Sequence, residues 1–184
     1  EMVLSGSINK NISFNLSKRE ILAIGLSGSD AKLIEVKKIK RKMKNEPDLG
    51  LVGKPHKINK SFILNLISDN IVPIIAPVGY NSQGQKLNIN ADLTAGFIAT
   101  ELKSRRLLIL TDVKGVIDKN NKLISELRLN DIKKLINEHV IYGGMIPKVN
   151  TCVDTIKKGV RASVIIDGRV RNAVIKELLS DKGF

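Results

Sequence analysis

The chain has 184 residues, 42% of them apolar, and its formal net charge is +13. That length suits one well-packed core or two small lobes. One cysteine and two histidines exclude an internal disulfide framework and argue against a zinc site built from these residue types. Apolar runs stay well short of the roughly 18 residues that a membrane-spanning helix needs, so we expect no membrane partner.

The excess of basic residues permits binding of nucleic acid or of acidic ligands. The densest basic run lies at residues 37–44. Lysines also protect exposed strand edges, and aromatic residues make up only 3% of the chain, without tryptophan. Since base stacking relies on aromatic side chains, the composition argues against nucleic acid as a partner. A basic nucleic-acid-binding module is kept as the alternative from a different functional class.

Local patterns in the first half predict alternating strands and helices. Short apolar runs predict strands at residues 2–4, 21–26 and 71–77. The four-residue spacing of Ile8, Ile12 and Leu16 predicts a short amphipathic helix. Residues 33–53 predict a β-hairpin outside the main sheet with its turn at 45–48, and residues 79–85 predict a polar turn.

Helix signals and further strands complete the predicted elements. Asn59 is expected to cap a helix that turns Phe62, Ile63, Leu66 and Ile67 to one side. A helix from residue 91 to about 105 leads into the apolar strand 107–110, which is typical of a parallel sheet. We further expect a turn at 120–121, a helix capped by Asn130, a helix with Pro147 in its first turn and a strand at 164–166. In the last helix we expect Val174 and Leu178 to face inward, with Ile175 as a further candidate for that face. The sequence therefore predicts an α/β fold.

A cluster of polar residues, Asn88, Asn90 and Asp92, lies where a predicted strand-and-loop unit gives way to a helix. Open α/β sheets bind ligands at such places. Amides that donate and accept, beside a carboxylate, suit a small polar substrate. The alternative is a plain helix start, with Asn90 as the N-cap and Asp92 favoured by the helix dipole.

Two further clusters, residues 111–116 and 143–148, also adjoin strand or helix ends and could converge with the first on one sheet edge. Gly143 and Gly144 precede a predicted helix, and backbone N–H groups at such a place bind anions. Lys148, one turn inside, could reach a phosphate, and Asp92 could orient that lysine or help to hold Mg²⁺. Positioned charges of this kind serve phosphoryl transfer. A hinge at the glycines and a solvated lysine are the simpler alternatives.

Six motifs together resemble the N-acetylglutamate kinases of the amino-acid kinase family. They occur in the family's order over nearly the whole chain: Gly25-Leu26-Ser27-Gly28-x-Asp30, Asp48-Leu49-Gly50-x-Val52-Gly53, Asn88-Ile89-Asn90-Ala91-Asp92, Thr111-Asp112-Val113-x-Gly115-Val116-x-Asp118, Gly143-Gly144-Met145-Ile146-Pro147-Lys148-Val149 and Ile166-Asp167-Gly168-Arg169. Each motif is short, and only the set is specific.

The resemblance implies a three-layer αβα sandwich with a mainly parallel central sheet, and transfer of the γ-phosphoryl group of ATP, with Mg²⁺, to the side-chain carboxylate of N-acetyl-L-glutamate in arginine biosynthesis. It implies Lys148 and Asp92 as catalytic residues, with Asp92 organising the lysines, and Asn88 and Asn90 as substrate-binding residues. The nucleotide would contact Thr111, Asp112, Gly115, Val116, Gly143 and Gly144. No residue is expected to be a permanent metal ligand. A sibling kinase acting on another carboxylate is the alternative within the family.

The same resemblance implies two lobes: residues 1–92 as the remainder of the acyl-amino-acid lobe and residues 93–184 as the nucleotide lobe. The family's N-terminal lysine and glycine-rich loop, and an arginine that grips the substrate, have no counterpart here, so we expect an N-terminally truncated chain with negligible kinase activity by itself. A homo-oligomer at full length, in a bacterial cytoplasm or a plastid stroma, is also expected.

Overall fold

The computed structural model describes residues 1–39 and 48–180. The chain forms two compact units, Glu1–Leu102 and Lys103–Phe184. The helix of residues 91–101 belongs to the first unit, because Ile98 and Leu102 pack against that unit's core. The unit boundary therefore follows this helix, ten residues beyond the boundary expected between the lobes (102 against 92). The functional division of the lobes stays a prediction.

The first unit opens with helical turns. Met2–Ile8 is π-helical and runs directly into α1 (Asn9–Ser17). The predicted strand at residues 2–4 is therefore wrong: the Ser5 amide donates to the carbonyl of Glu1 at 2.8 Å, a bond within the segment rather than to a neighbouring strand. Apolar residues over so short a run do not distinguish a strand from a helix.

The helix predicted from Ile8, Ile12 and Leu16 is confirmed as α1, but its buried residues are Asn9 and Ser13. Ile8 and Ile12 are 47% and 44% exposed. The Asn9 side-chain amide donates to the carbonyls of Leu26 and Ile74 at 3.2 and 2.6 Å. These carbonyls belong to β1 (Ala23–Ser27) and β4 (Val72–Ala76), which pair in parallel and confirm two predicted strands.

The predicted hairpin is confirmed: β2 (Ile34–Lys38) pairs antiparallel with β3 (Val52–Ile58). The turn predicted at residues 45–48 lies largely outside the described residues, as does most of the basic run 37–44. The returning strand starts at Val52 and extends to Ile58. The stretch around the expected polar turn at residues 79–85 forms a second hairpin, β5 (Val78–Tyr80) and β6 (Lys86–Ile89). Strands β2, β3, β5 and β6 close into a small barrel.

Two helices complete the first unit. Asn59 caps α2 (Lys60–Ser68) as predicted, accepting a hydrogen bond from the Phe62 amide at 3.3 Å. Ile63 is buried and Leu66 packs beside it, whereas Ile67 is 48% exposed, so the predicted apolar face is narrower than expected. The other helix is α3 (Ala91–Glu101). The core consists of Leu26, Leu33, Ile34, Val36, Ile63, Leu87 and Ile89.

The second unit is built on the parallel pair β7 (Arg106–Thr111) and β8 (Ala162–Asp167), both predicted. Between them lie α4 (Ile132–Asn137) and α5 (Met145–Lys157). The N-cap of α4 is Asp131 rather than Asn130. The core of this unit consists of Val116, Ile132, Ile141 and Val149. Parallel strands joined through helices confirm the predicted α/β class.

The last helix, α6 (Ala173–Leu179), buries Ala173 and Glu177. Of the residues predicted to face inward, Val174 is half-buried, whereas the prediction is wrong for Leu178 and Ile175, which are 49% and 56% exposed. The helix docks through an ion pair from Glu177 to Arg106 in β7. A long-range polar contact therefore determined the orientation of this helix, which apolar periodicity did not reveal.

Candidate functional site

A cavity of about 460 Å³ opens in the second unit beside the carboxyl end of β7. Pockets of 300–1,000 Å³ are the usual size for small-molecule sites. One wall is formed by the loop after β7 and the other by the segment that leads into α5. Its lining residues are Thr111, Asp112, Val113, Gly115, Val116, Ile117, Asp118, Lys119, Asn121, His139, Val140, Tyr142, Gly143, Gly144, Met145 and Lys148.

All six residues predicted to contact a nucleotide line this cavity, as does Lys148. The clusters at residues 111–116 and 143–148 were expected to converge, and these two do. More than 25 residues separate them in sequence, so their convergence is a property of the fold. The cavity therefore places backbone amides, a carboxylate and an ammonium group around one space, while the individual roles of these residues stay predictions.

The loop after β7 depends on a glycine and an aspartate. Gly115 has φ +123°, and a Cβ at this residue would lie 2.9 Å from the Leu123 side chain, so a larger residue would be strained. The Asp118 carboxylate accepts hydrogen bonds from the amides of Asn120 and Lys122, each at 2.8 Å. These bonds stabilise the turn and hold Val116 and Ile117 along the cavity wall.

The opposite wall contains the N-terminus of α5. Gly143 has φ +52°, and a Cβ built at Gly143 or Gly144 would meet nothing within 4 Å, so the backbone faces open space there. The helix has 13 residues, and the positive end of its dipole favours an anion at this place. Lys148 follows one turn later on the same cavity wall. This arrangement suits a phosphate group.

Sequence reasoning missed several lining residues. His139 and Tyr142 follow α4, and Lys119 lies in the turn held by Asp118. Lys119 pairs with Glu138 at 3.4 Å, which links the turn to the end of α4. The only local signal for these lining residues was that they lie near the predicted motifs in the sequence. That signal does not show which side chains reach the cavity.

Two charged residues at the end of β8 lie beside this wall. The Arg169 guanidinium donates to both carboxylate oxygens of Asp167, with its Nε at 2.9 Å from one and a terminal nitrogen at 2.8 Å from the other. These bonds, with one from the Arg169 amide, lower the pKa of Asp167 to about 2 despite its burial, so the carboxylate is ionised at neutral pH. Asp112 in turn contributes to the raised pKa of Arg169, after the larger effect of Asp167.

The cluster at residues 88–92 belongs to the first unit. Asn90 is the N-cap of α3 and accepts a hydrogen bond from the Leu93 amide at 3.1 Å. Asp92 lies in the first turn, where the helix dipole favours a negative charge. Asn88 lies in β6 with its side chain exposed. The helix-start interpretation is thus confirmed for Asn90, and the substrate and catalytic roles of these residues stay predictions.

Neither a metal cluster nor a membrane span is found in the part of the chain that the structure describes. No three acidic, histidine or cysteine side chains there are grouped so as to hold a metal ion. None of the helices at residues 1–39 and 48–180 has the length and hydropathy needed to span a bilayer.

Two curated relatives of this chain have the same name. The chain is 46% identical to the "Acetylglutamate kinase" of Rhodospirillum rubrum, covering 100% of this chain and 61% of the relative. It is 44% identical to the protein of that name from Zymomonas mobilis, covering 100% of this chain and 63% of that one. The chain thus spans about three fifths of the length of these relatives.

Solved structures show the same fold. The chain matches smu.665 from Streptococcus mutans with a TM-score of 0.80 and 27% identity, over 90% of this chain and 65% of the other. It matches carbamate kinase from Giardia lamblia bound to AMP-PNP with a TM-score of 0.66 and 20% identity, over 90% of this chain and 63% of the other. At 20% identity the likeness concerns the fold alone. A profile of the amino acid kinase family matches residues 1–167, and the chain therefore belongs to the amino acid kinase family.

Proposed function

We propose that this chain is part of an acetylglutamate kinase and contains its nucleotide site. The full-length enzyme would transfer the γ-phosphoryl group of ATP to the side-chain carboxylate of N-acetyl-L-glutamate, a step of arginine biosynthesis. The cavity of the second unit is the observation that carries the proposal. It combines the Thr111–Asp112 wall, the Gly143–Gly144 helix start and Lys148 around one space of about 460 Å³. The name shared by the curated relatives supports this particular acceptor.

In the proposed reaction the protein mainly positions and neutralises charge, as phosphoryl transfer requires. The N-terminus of α5 and the glycine backbone would hold the phosphates, and the Lys148 ammonium would stabilise the charge on the transferring group. The loop at residues 111–116 would contact the rest of the nucleotide. Asn88 and Asn90 would bind the acceptor, and Asp92 would organise the catalytic lysines.

Mg²⁺ fits this site only as a partner of the nucleotide. The Thr111 hydroxyl and the Asp112 carboxylate are oxygen donors on the cavity wall, and Mg²⁺ is commonly held by one or two carboxylates together with substrate phosphates. When bound, it would neutralise charge on those phosphates.

We also propose that the full-length protein is a homo-oligomer that works in a bacterial cytoplasm or a plastid stroma.

Replacement of Lys148 tests the proposal in the full-length protein. Lys148→Met should lower kcat by about 100-fold or more, since loss of one charge-stabilising donor has effects of that size, with the unfolding midpoint little changed. The matched control is Lys157→Met, which removes an exposed lysine from the same helix and should leave ADP release unchanged. Full turnover in Lys148→Met would refute the assigned role.

Acceptor profiling distinguishes this enzyme from a sibling kinase. With ATP held constant, N-acetyl-L-glutamate should support ADP release, whereas L-glutamate, L-aspartate and carbamate should support much less. Preference for another carboxylate would replace the proposed acceptor and keep phosphoryl transfer. The expectation that residues 1–184 alone show negligible turnover stays a prediction, which the same assay tests.

A further inference from the structure

Two surface segments from different parts of the chain border the cavity described above. One is the turn at residues 118–122, in which the Asp118 carboxylate accepts from the amides of Asn120 and Lys122. The other is the connection at residues 138–144 between α4 and α5. Residues of both segments line the cavity, so the shape of the cavity depends on how these segments are held relative to each other.

Backbone bonds hold each segment separately. In the connection, Ile141 is 1% exposed and its amide donates to the Leu135 carbonyl at 3.1 Å. The turn at residues 118–122 is held at its base, where the Ile124 amide donates to the Val116 carbonyl at 2.8 Å. These bonds lie within one segment or the other, so the spacing between the segments requires a different contact.

The side chain of Lys119 provides such a contact. Its ammonium lies 3.4 Å from one carboxylate oxygen of Glu138, at the end of α4, and the two side chains are 68% and 37% exposed. Lys119 also lines the cavity. The other carboxylate oxygen of Glu138 lies 3.8 Å from the ammonium of Lys134, which belongs to α4 itself. Of these two ion pairs, the one with Lys119 joins the two borders of the cavity, and the one with Lys134 stays within a helix.

An exposed ion pair contributes little to the free energy of unfolding. A contact between two separately held borders acts on another equilibrium, because it raises the fraction of molecules in which the cavity already has its binding arrangement. The apparent dissociation constant varies inversely with that fraction. Such an effect applies to every ligand that fills the cavity, whether the ligand is charged or neutral.

We propose that Lys119 is a positioning residue, whose ion pair with Glu138 holds the turn at residues 118–122 beside the end of α4 and so keeps the cavity ready for a nucleotide. This inference rests on the proposed function of the cavity. It differs from a direct contact of Lys119 with phosphate. Loss of the ion pair should weaken the binding of adenosine, which has no phosphate, whereas loss of a phosphate contact should not.

Nucleotide titrations of the full-length protein test this inference. Dissociation constants for adenosine and for ATP are measured by calorimetry in wild type, Lys119→Met, Glu138→Gln and the double variant Lys119→Glu/Glu138→Lys. Each single variant should weaken adenosine binding by about two- to fivefold, the range expected of an exposed ion pair. The double variant rebuilds the pair with its charges exchanged and should return adenosine binding to within about 1.5-fold of wild type.

Lys134→Met is the matched control. It also removes a lysine partner of Glu138, but that contact stays within α4, so adenosine binding should change by less than about 1.5-fold. A loss as large as that in Lys119→Met would show that the contact between the two segments is not what matters, and would overturn the inference.

Salt provides a measurement that needs no further variant. Adenosine is uncharged, so screening acts on its binding through the protein alone. An increase in KCl from about 0.05 M to about 1 M shortens the screening length to about 3 Å. It should weaken adenosine binding in wild type and leave it unchanged in Lys119→Met. Equal salt dependence in both proteins would contradict the proposed role.

Three patterns of binding would also overturn the inference. One is unchanged adenosine binding in both single variants, and another is a double variant that binds adenosine no better than they do. The third is stronger ATP binding in Glu138→Gln with adenosine unchanged, since that would show Lys119 released to contact phosphate.

The wild-type protein separates this inference from the proposed function. Failure to bind ATP would refute the nucleotide function together with this inference. Normal binding of ATP without binding of adenosine, or without any effect of Lys119 and Glu138, would refute this inference alone.

Discussion

Arg106 and Glu177 form an ion pair that joins the first residue of β7 to the middle of α6. The guanidinium donates to a Glu177 carboxylate oxygen at 3.3 Å and to the Glu177 backbone carbonyl at 3.0 Å. The Glu177 side chain is 9% exposed and that of Arg106 is 35% exposed. A carboxylate so deeply buried needs a partner, and this pair therefore orients the last helix.

Removal of Arg106 should destabilise the protein. We expect Arg106→Ala to lower the free energy of unfolding by about 1–2 kcal/mol, less than for a fully buried pair because the arginine is partly solvated. Urea unfolding measures the change. Arg105→Ala, at the adjacent exposed arginine, is the control and should shift stability by less than about 0.5 kcal/mol. Equal stability of both variants would mean that the pair does not hold α6.

Replacement of Asn9 should also be costly. Its side chain donates to the carbonyls of Leu26 and Ile74, which lie in different strands, so Asn9→Ala should lower the free energy of unfolding by about 2–3 kcal/mol. Asn11→Ala, on an exposed face of the same helix, serves as the comparison and should have an effect of under about 0.5 kcal/mol. Indistinguishable urea midpoints would contradict the bridging role.

Asn90 allows its capping role to be separated from its predicted role in substrate binding. Serine also caps helices well, so Asn90→Ser should keep the free energy of unfolding within about 0.5 kcal/mol. If the amide also binds the acceptor, the same variant should raise the acceptor KM by about tenfold, equivalent to about 1.4 kcal/mol, with the KM for ATP unchanged. An unchanged acceptor KM would mean that Asn90 caps α3 and does not bind the acceptor.

Asn59→Ser is the matched control for that experiment. Asn59 caps α2 through the Phe62 amide, and no substrate role is predicted for it. Its replacement by serine also removes the bond that the Asn59 amide donates to the Ala31 carbonyl at 3.0 Å, so the unfolding midpoint should fall slightly, whereas both KM values should stay close to those of the wild type.

Asp167 should make stability depend on pH in the acid range. Its pKa is about 2 in the folded chain because Arg169 donates to the carboxylate, against about 3.9 for an unfolded aspartate. The unfolded state therefore binds the proton more readily. The stabilising contribution is complete above about pH 4 and is lost as the pH falls toward 2.

Urea unfolding between pH 6 and pH 2 provides the measurement. The stability difference between wild type and Asp167→Asn should be constant above about pH 4 and should shrink below it. Arg169→Gln removes the cause of the lowered pKa and should weaken this acid dependence, whereas Arg171→Gln should retain it. A difference that stays constant down to pH 2 would show that the pair does not lower the pKa of Asp167.

The sequence by itself determined the features that depend on neighbouring residues. The strands of the two parallel pairs, the Asn59 cap, the β2–β3 hairpin and the order of the motifs follow from β-branched runs, capping residues and glycines. These signals act over a few residues, because they reflect backbone preferences and bonds within one turn.

Only the tertiary structure decided which helix faces are buried and which motifs meet. The inward sides of α1 and α6 depend on hydrogen bonds from Asn9 to the Ile74 carbonyl and from Arg106 to the Glu177 carboxylate, over 65 and 71 residues. The same holds for the cavity, where the loop after β7 lies opposite the start of α5. Burial of a polar group is stable only beside its partner, and local periodicity contains no information about a partner so distant in sequence.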